Sequence, residues 1–192
     1  KLEEMRKVHA HWSEDTKDGG LIPETILRDW EERYASSIYE IMREKSIPVN
    51  EIRQTALAEL SPEKLKKNLS NQNEAVRYWA AISLGNLAQE IPFDPILVEA
   101  LKDEVPVVRF AAARALEKYG KTEVALPILT TGLTHEDEWV RLNAAQVLDE
   151  MGEAARPAIS ALQSVMEDKN KYVVRVANHA LNQLLGTENK VR

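Results

Sequence analysis

The sequence predicts an all-α protein: a right-handed α-α superhelix of about four stacked helix pairs, preceded by a helical lead-in. Three observations carry this. Val76, Val108, Val140 and Val173 recur with Ala80, Ala112, Ala144 and Ala177 and with Leu84, Leu116, Leu148 and Leu181, at steps of 32, 32 and 33 residues. A second set keeps the same step just ahead of the first: Leu65, Leu97, Leu129 and Leu162, then Leu69, Leu101, Leu133 and Met166. Glycine follows at 120, 152 and 186, where a helix C-terminus favours a residue that takes positive φ freely.

Each unit reads as two helices. The first is short, and its leucines lie four apart, so they share a face. The second starts at a polar turn and places apolar residues at i, i+4, i+8 and i+11. That is a stripe along one side rather than a ring. One pair cannot bury such a stripe, whereas stacked pairs make a continuous core.

These residues resemble HEAT-type repeats, a HEAT-like/ARM-type solenoid. Val76-Arg77, Val108-Arg109 and Val140-Arg141 fit the pattern, as do Ala80-Ala81, Ala112-Ala113 and Ala144-Ala145. The resemblance runs from Ser61 to Gly186. It departs in the fourth unit, where Val174 holds the arginine slot and Arg175 comes one place late. A capping repeat, facing water on one side, is expected to be atypical.

Residues 1–60 form the lead-in and 61–192 the repeat domain. Leu2, Met5, Val8 or His9, and Trp12 recur at helical spacing over residues 1–13. Glu14 to Gly20 reads as a polar turn ending in Gly19-Gly20. Pro23 suits a first helical turn, and Ile26, Leu27, Trp30 and Tyr34 give the apolar side of Glu24 to Tyr34. Ala35 to Val49 is less regular, and Ser46-Ile47-Pro48 breaks it. Asn50 is expected to N-cap a helix carrying Ile52, Ala56, Leu57 and Leu60, so that Pro48 to Leu60 covers the first repeat.

Met5-Arg6, His11-Trp12 and Asp18 through Gly20-Leu21-Ile22-Pro23-Glu24 carry a second resemblance, to the C-terminal edge of certain bacterial sulfatases. It spans about 25 residues. It implies that the chain is a sulfatase's tail without the catalytic body, and a periplasmic or extracellular location. The sulfatase nucleophile motif, Cys/Ser-x-Pro-x-Arg, is not present: in Ser46-Ile47-Pro48-Val49-Asn50 an asparagine stands in place of the arginine. No catalytic or metal-binding residue carries over.

Composition narrows the function classes. The chain has no cysteine, which excludes disulfides, thiolate metal sites and cysteine nucleophiles. Its net charge is −6. Residues 1–60 hold nine basic and thirteen acidic residues, and residues 61–192 hold sixteen and eighteen. Neither part has the basic excess that a phosphate backbone demands. No apolar run approaches the roughly 20 residues of a membrane span. The chain begins at Lys1 without a methionine or a secretory signal, and the expectation is a piece of a longer protein. No cofactor, metal or catalytic residue is expected. His9 and His11 are two apart and point to different sides of a helix. His135 falls in the turn slot of Asn71, Asp103 and Asp168, and His179 has no helical partner for a metal. Gly19-Gly20 follows acidic residues rather than a strand, so it is no phosphate loop.

Two constellations remain. The arginine ladder Arg77, Arg109 and Arg141 reads as structural, each guanidinium bonding a turn carbonyl or the acidic turn residue of an adjacent repeat. The second lies two and six residues after each valine: Tyr78 and Ile82, Phe110 and Arg114, Leu142 and Gln146. At 100° per residue these positions face away from the buried stripe. Tyr78, Phe110 and Leu142, bordered by Trp79, then form an apolar row on the concave side, a candidate protein-binding face. The competing reading is that residues 1–60 fold over it, or that it belongs to a tighter core. The expected function is a non-catalytic protein-interaction module whose partner is a protein, the parent's own catalytic domain included. A nucleic-acid-binding repeat protein is the alternative, and a lyase-like repeat protein ranks below it.

Overall fold

The computed structural model describes residues 1–57 and 60–191. Every regular element among them is helical, and no strand occurs among the described residues. The chain is therefore all-α, of the α-solenoid class. It packs as two compact units, Lys1–Leu84 and Gly85–Arg192. The boundary expected at residue 60 falls inside the first unit.

The first unit runs α1 (Leu2–Thr16), α2 (Glu24–Tyr34), α3 (Ile38–Glu44), α4 (Val49–Ala56), α5 (Pro62–Asn68) and most of α6 (Glu74–Asn86). Local chemistry sets several of these boundaries. Ser37 caps α3 by accepting from the Glu40 amide while Glu40 reaches back to the Ser37 amide, a reciprocal capping box. Ser61 caps α5, and Pro62 occupies its first turn, where a missing N–H is harmless. Three expectations shift. The Glu14–Gly20 turn begins only after Thr16, because α1 continues that far. The irregular stretch after Ala35 contains the capped helix α3. Asn50 lies inside α4, whose N-cap is Pro48. The expected continuation of that helix to Leu60 crosses residues 58 and 59, which lie outside the described residues.

The second unit holds α7 (Ile96–Glu99) with the 3₁₀ turn Ala100–Lys102, then α8 (Pro106–Lys118), α9 (Thr122–Gly132) and α10 (Glu138–Met151). The 3₁₀ segment Gly152–Ala158, α11 (Ile159–Ser164) and α12 (Lys171–Leu185) complete it. The three C-terminal glycines take positive φ: Gly120 at 70°, Gly152 at 53° and Gly186 at 64°. Glycine takes this conformation without a Cβ penalty, although Lys17 (φ 55°) and Ala35 (φ 48°) adopt positive φ at the ends of α1 and α2.

The periodic positions are the core. Leu65, Leu97, Leu129 and Leu162 are buried, as are the four valines, four alanines and four leucines of the second-helix stripe. Helix α8 goes further. Val107, Val108, Phe110, Ala111, Ala112, Ala113, Ala115 and Leu116 are all buried. Small residues let neighbouring helices close in on nearly every side of it.

Candidate functional site

The polar turn before each second helix is built the same way. A side chain at its first position accepts the amide two residues on: Asn71 Oδ1 from Asn73 at 2.9 Å, Asp103 Oδ1 from Val105 at 2.9 Å, His135 Nδ1 from Asp137 at 3.1 Å, and Asp168 Oδ1 from Asn170 at 2.8 Å. This mimics a backbone turn. Asn73, Asp137 and Asn170 then accept amides at their helix starts.

The arginines complete these turns. Arg77 Nη1 donates to the Asn71 and Gln72 carbonyls at 2.9 and 3.2 Å, and Arg109 Nη1 to those of Asp103 and Glu104 at 2.8 and 3.2 Å. Arg141 Nη1 meets His135 and Glu136 at 2.8 and 2.9 Å, and its Nε and Nη2 grip Asp168 of the following turn at 2.6 and 2.9 Å. The last is a bidentate pair, geometrically selective for guanidinium. The bond to Arg141 holds the Asp168 carboxyl below the usual aspartate range, and Asp168 raises Arg141 in return. The guanidiniums are thus engaged with turn carbonyls of their own repeats.

The outward row expected from the helical wheel does not exist as drawn. Phe110 is 1% exposed. Its ring lies against Gly132 of α9, so closely that a Cβ there would sit 2.5 Å from Phe110 Cζ and 2.8 Å from the Ala144 methyl. The first helix of the next repeat crosses over this position, and a glycine makes the room. Ile82 is buried too. In the first unit Tyr78 and Trp79 are half-buried and meet edge to face at 5.2 Å. Trp79 Nε1 donates to the Leu21 carbonyl at 2.5 Å, so the lead-in folds over that part of the face. In the second unit Leu142 is half-buried, Gln146 exposed, and Arg114 half-exposed and paired through Nε to Glu150 at 2.9 Å. Of the expected residues in this unit, Arg114, Leu142 and Gln146 reach solvent.

Some side-chain partnerships escaped the sequence reading. His11 Nε2 lies 3.2 Å from Asp15, one helical turn on, a spacing that is legible. His179 Nδ1 lies 2.7 Å from Asp149, thirty residues away and one helix over, and its other ring nitrogen is 3.3 Å from the Gln183 amide. A cleft of about 560 Å³ in the first unit is lined by Trp30, Arg33, Tyr34, Lys45 and Glu74 among others. Several of its polar groups are engaged: Trp30 Nε1 and Arg33 Nη1 both donate to Glu74 Oε1, at 2.6 and 3.1 Å, and the Lys45 ammonium lies 4.9 Å from the Tyr34 ring centroid. Among the described residues no three His, Asp or Glu side chains are placed to hold a metal ion. No described helix is long and apolar enough to cross a membrane.

Comparison with known proteins fits this architecture. A solved structure of an engineered protein is similar over 94% of this chain and 91% of its own, with a TM-score of 0.51 and 18% identity; at that identity the likeness is one of fold. A search of the curated proteins finds no match. Neither the family match nor the engineered structure supports the sulfatase resemblance of residues 1–25. The family model for HEAT repeats matches residues 62–149 and, in an overlapping placement, 95–182. Together the two placements take in most of the chain, which belongs to the HEAT-repeat family.

Proposed function

We propose that the chain is a non-catalytic scaffold that docks a protein partner through the solvent-facing side of α8 and α10. The observation that carries this is the contrast along those helices. Alanines and leucines are spent on the seam, while Arg114, Leu142 and Gln146 keep contact with solvent. A half-buried leucine flanked by an arginine and an amide suits a protein interface better than a phosphate backbone. The net charge of −6 weighs against nucleic acid. In this reading the functional domain is 61–192, with residues 1–60 as a lead-in that folds onto its first repeat.

The finer proposal is that the scaffold is the tail of a sulfatase and docks the parent's catalytic domain. It rests on the residues Met5-Arg6, His11-Trp12 and Gly20 to Glu24 alone. The coding sequence upstream of Lys1 tests it: a Cys/Ser-x-Pro-x-Arg motif there supports the parentage, and an unrelated domain overturns it.

A photo-crosslinking amino acid at Gln146, in the full-length protein in its own cells, tests the scaffold role. Capture of a polypeptide, lost on Arg114→Glu with an unchanged melting temperature, is the expected result; a surface ion pair such as Arg114–Glu150 contributes only about 0–1 kcal/mol. Capture of nucleic acid, or a salt-dependent gel shift at micromolar protein, overturns it.

A further inference from the structure

The last helix carries a feature that the inner ones lack. In α8 and α10, Ala113 and Ala145 occupy one equivalent slot and are both 0% exposed. The same slot in α12 holds Asn178, a polar residue that is nonetheless only 9% exposed. One helical turn on, in the slot of Glu117 and Asp149, stands Asn182. Residues four apart share one side of a helix, so the two amides form a pair.

What covers them is the chain itself. Gly186 takes φ 64° and ψ 38°, the left-handed turn that reverses direction after a helix. The following segment runs back along α12. Asn182 Oδ1 accepts the Asn189 backbone N–H at 2.9 Å, and Asn182 Nδ2 donates to the Asn189 carbonyl at 2.8 Å. Asn178 Nδ2 donates to that same carbonyl at 2.8 Å. Thr187 Oγ1 adds a bond to Asn182 Oδ1 at 2.7 Å. One side-chain amide therefore reads both main-chain groups of one residue, and a second, nearly buried, reinforces it. An amide carries both a donor and an acceptor, which is what this geometry needs. The hydrogen bonds of these two asparagines to residue 189 are all to its main-chain atoms. A nearly buried amide at Asn178 would lose its partner without such a strand.

We propose that Asn178 and Asn182 form a clamp for the main chain of an extended polypeptide strand. The clamp is held in cis by Thr187–Asn189, and a strand from a partner protein occupies it by displacing that segment. Because the contacts are to backbone, the ligand class is an extended strand with a free N–H and C=O at one residue, as in other main-chain recognition.

The test uses the full chain and the five-residue peptide Thr-Glu-Asn-Lys-Val, which repeats residues 187–191. In the wild-type protein the Asn189 amide exchanges slowly with solvent, and Asn182→Ala releases it. Asn189→Pro deletes the donor and empties the clamp. Adding the peptide to Asn189→Pro then shifts the Asn178 and Asn182 side-chain amide resonances. The wild-type protein needs about tenfold more peptide for the same shift, since its tethered segment competes at high effective concentration. The Asn182→Ala/Asn189→Pro double variant, with its remaining spectrum intact, shows no shift. An Asn189 amide that exchanges at the free-peptide rate in the wild type overturns the proposal. So does a peptide that leaves the Asn178 and Asn182 resonances of Asn189→Pro unmoved, which would make the segment a helix cap and nothing more.

Discussion

The two units are held together by different means. Inside Gly85–Arg192 the cohesion is apolar and periodic: leucine, valine and alanine at a fixed step, with the same turn remade before each second helix. Inside Lys1–Leu84 the first repeat's periodic residues and an aperiodic apolar set, Ile26, Trp30, Ile41 and Ile52 among them, are joined by buried polar ties. Trp30 Nε1 donates to Glu74 and Trp79 Nε1 to the Leu21 carbonyl. Asn68 Nδ2 donates to Thr55 Oγ1 at 3.1 Å, and Ser83 Oγ to the Thr55 carbonyl at 2.7 Å. Thr55 is 0% exposed and Ser83 1%, so these bonds lie in a medium where an orphaned partner is costly. A repeated seam tolerates small errors at any one site, because each neighbour contributes a little. The irregular unit adds to its apolar core a few single polar bonds that no neighbouring copy duplicates.

The largest effect expected to separate the two is Phe110→Ala. The ring fills the space over Gly132, so its removal opens a cavity between α8 and α9 and costs about 3–5 kcal/mol. Denaturant unfolding followed at Trp139, whose ring lies in the second unit, measures it. A loss below about 1 kcal/mol would mean that the site collapses freely and the packing around Phe110 is not tight.

Trp30→Phe is the matching test in the first unit. It keeps a buried aromatic ring but removes the N–H that Glu74 accepts at 2.6 Å. About 2 kcal/mol is expected from leaving a buried carboxylate short of a donor. The chevron or melting transition of the first unit should carry this loss, with the second unit's transition unmoved.

Asp168→Asn is smaller and depends on pH. The substitution keeps an acceptor for the Asn170 amide but removes the charge that Arg141 grips. Asp168 titrates below its ordinary range in the folded chain. Its ion pair therefore contributes fully above the ordinary aspartate pKa and is lost as pH falls through the lower folded value. The wild type should exceed Asp168→Asn by about 1 kcal/mol at neutral pH, and the gap should close below roughly pH 4. A gap that persists in strong acid would assign the effect to packing instead.

The same contrast explains what could be read in advance. The second unit was legible because its rule repeats: a valine, alanine or leucine at a known step has only one place to go, and the glycines at 120, 152 and 186 mark the helix ends. Phe110 was misplaced because a helical wheel knows only its own helix. The signal lay elsewhere, in Gly132, a glycine inside a helix twenty-two residues on, which marks a close approach. Asn178 and Asn182 were passed over for the same reason, since their partner is the backbone of a segment after the last repeat. In the first unit, Trp30–Glu74 and Trp79–Leu21 join residues 44 and 58 apart, with no period to announce them. The α3 capping box was readable from Ser37 and Glu40 but was hidden by the surrounding short, irregular run. Arg77, Arg109 and Arg141 were noticed because they repeat; the Arg114–Glu150 and His179–Asp149 pairs do not.

Backbone hydrogen exchange across the whole chain tests the central claim, that a repeated apolar seam with α8 at its heart holds the second unit together. The prediction is that amides from Val108 to Leu116 exchange only through unfolding of the entire unit, while those of α1, whose Leu2, Met5, Val8 and Trp12 are exposed, exchange through local opening. Amides of α8 that exchange as fast as those of α1 would contradict it.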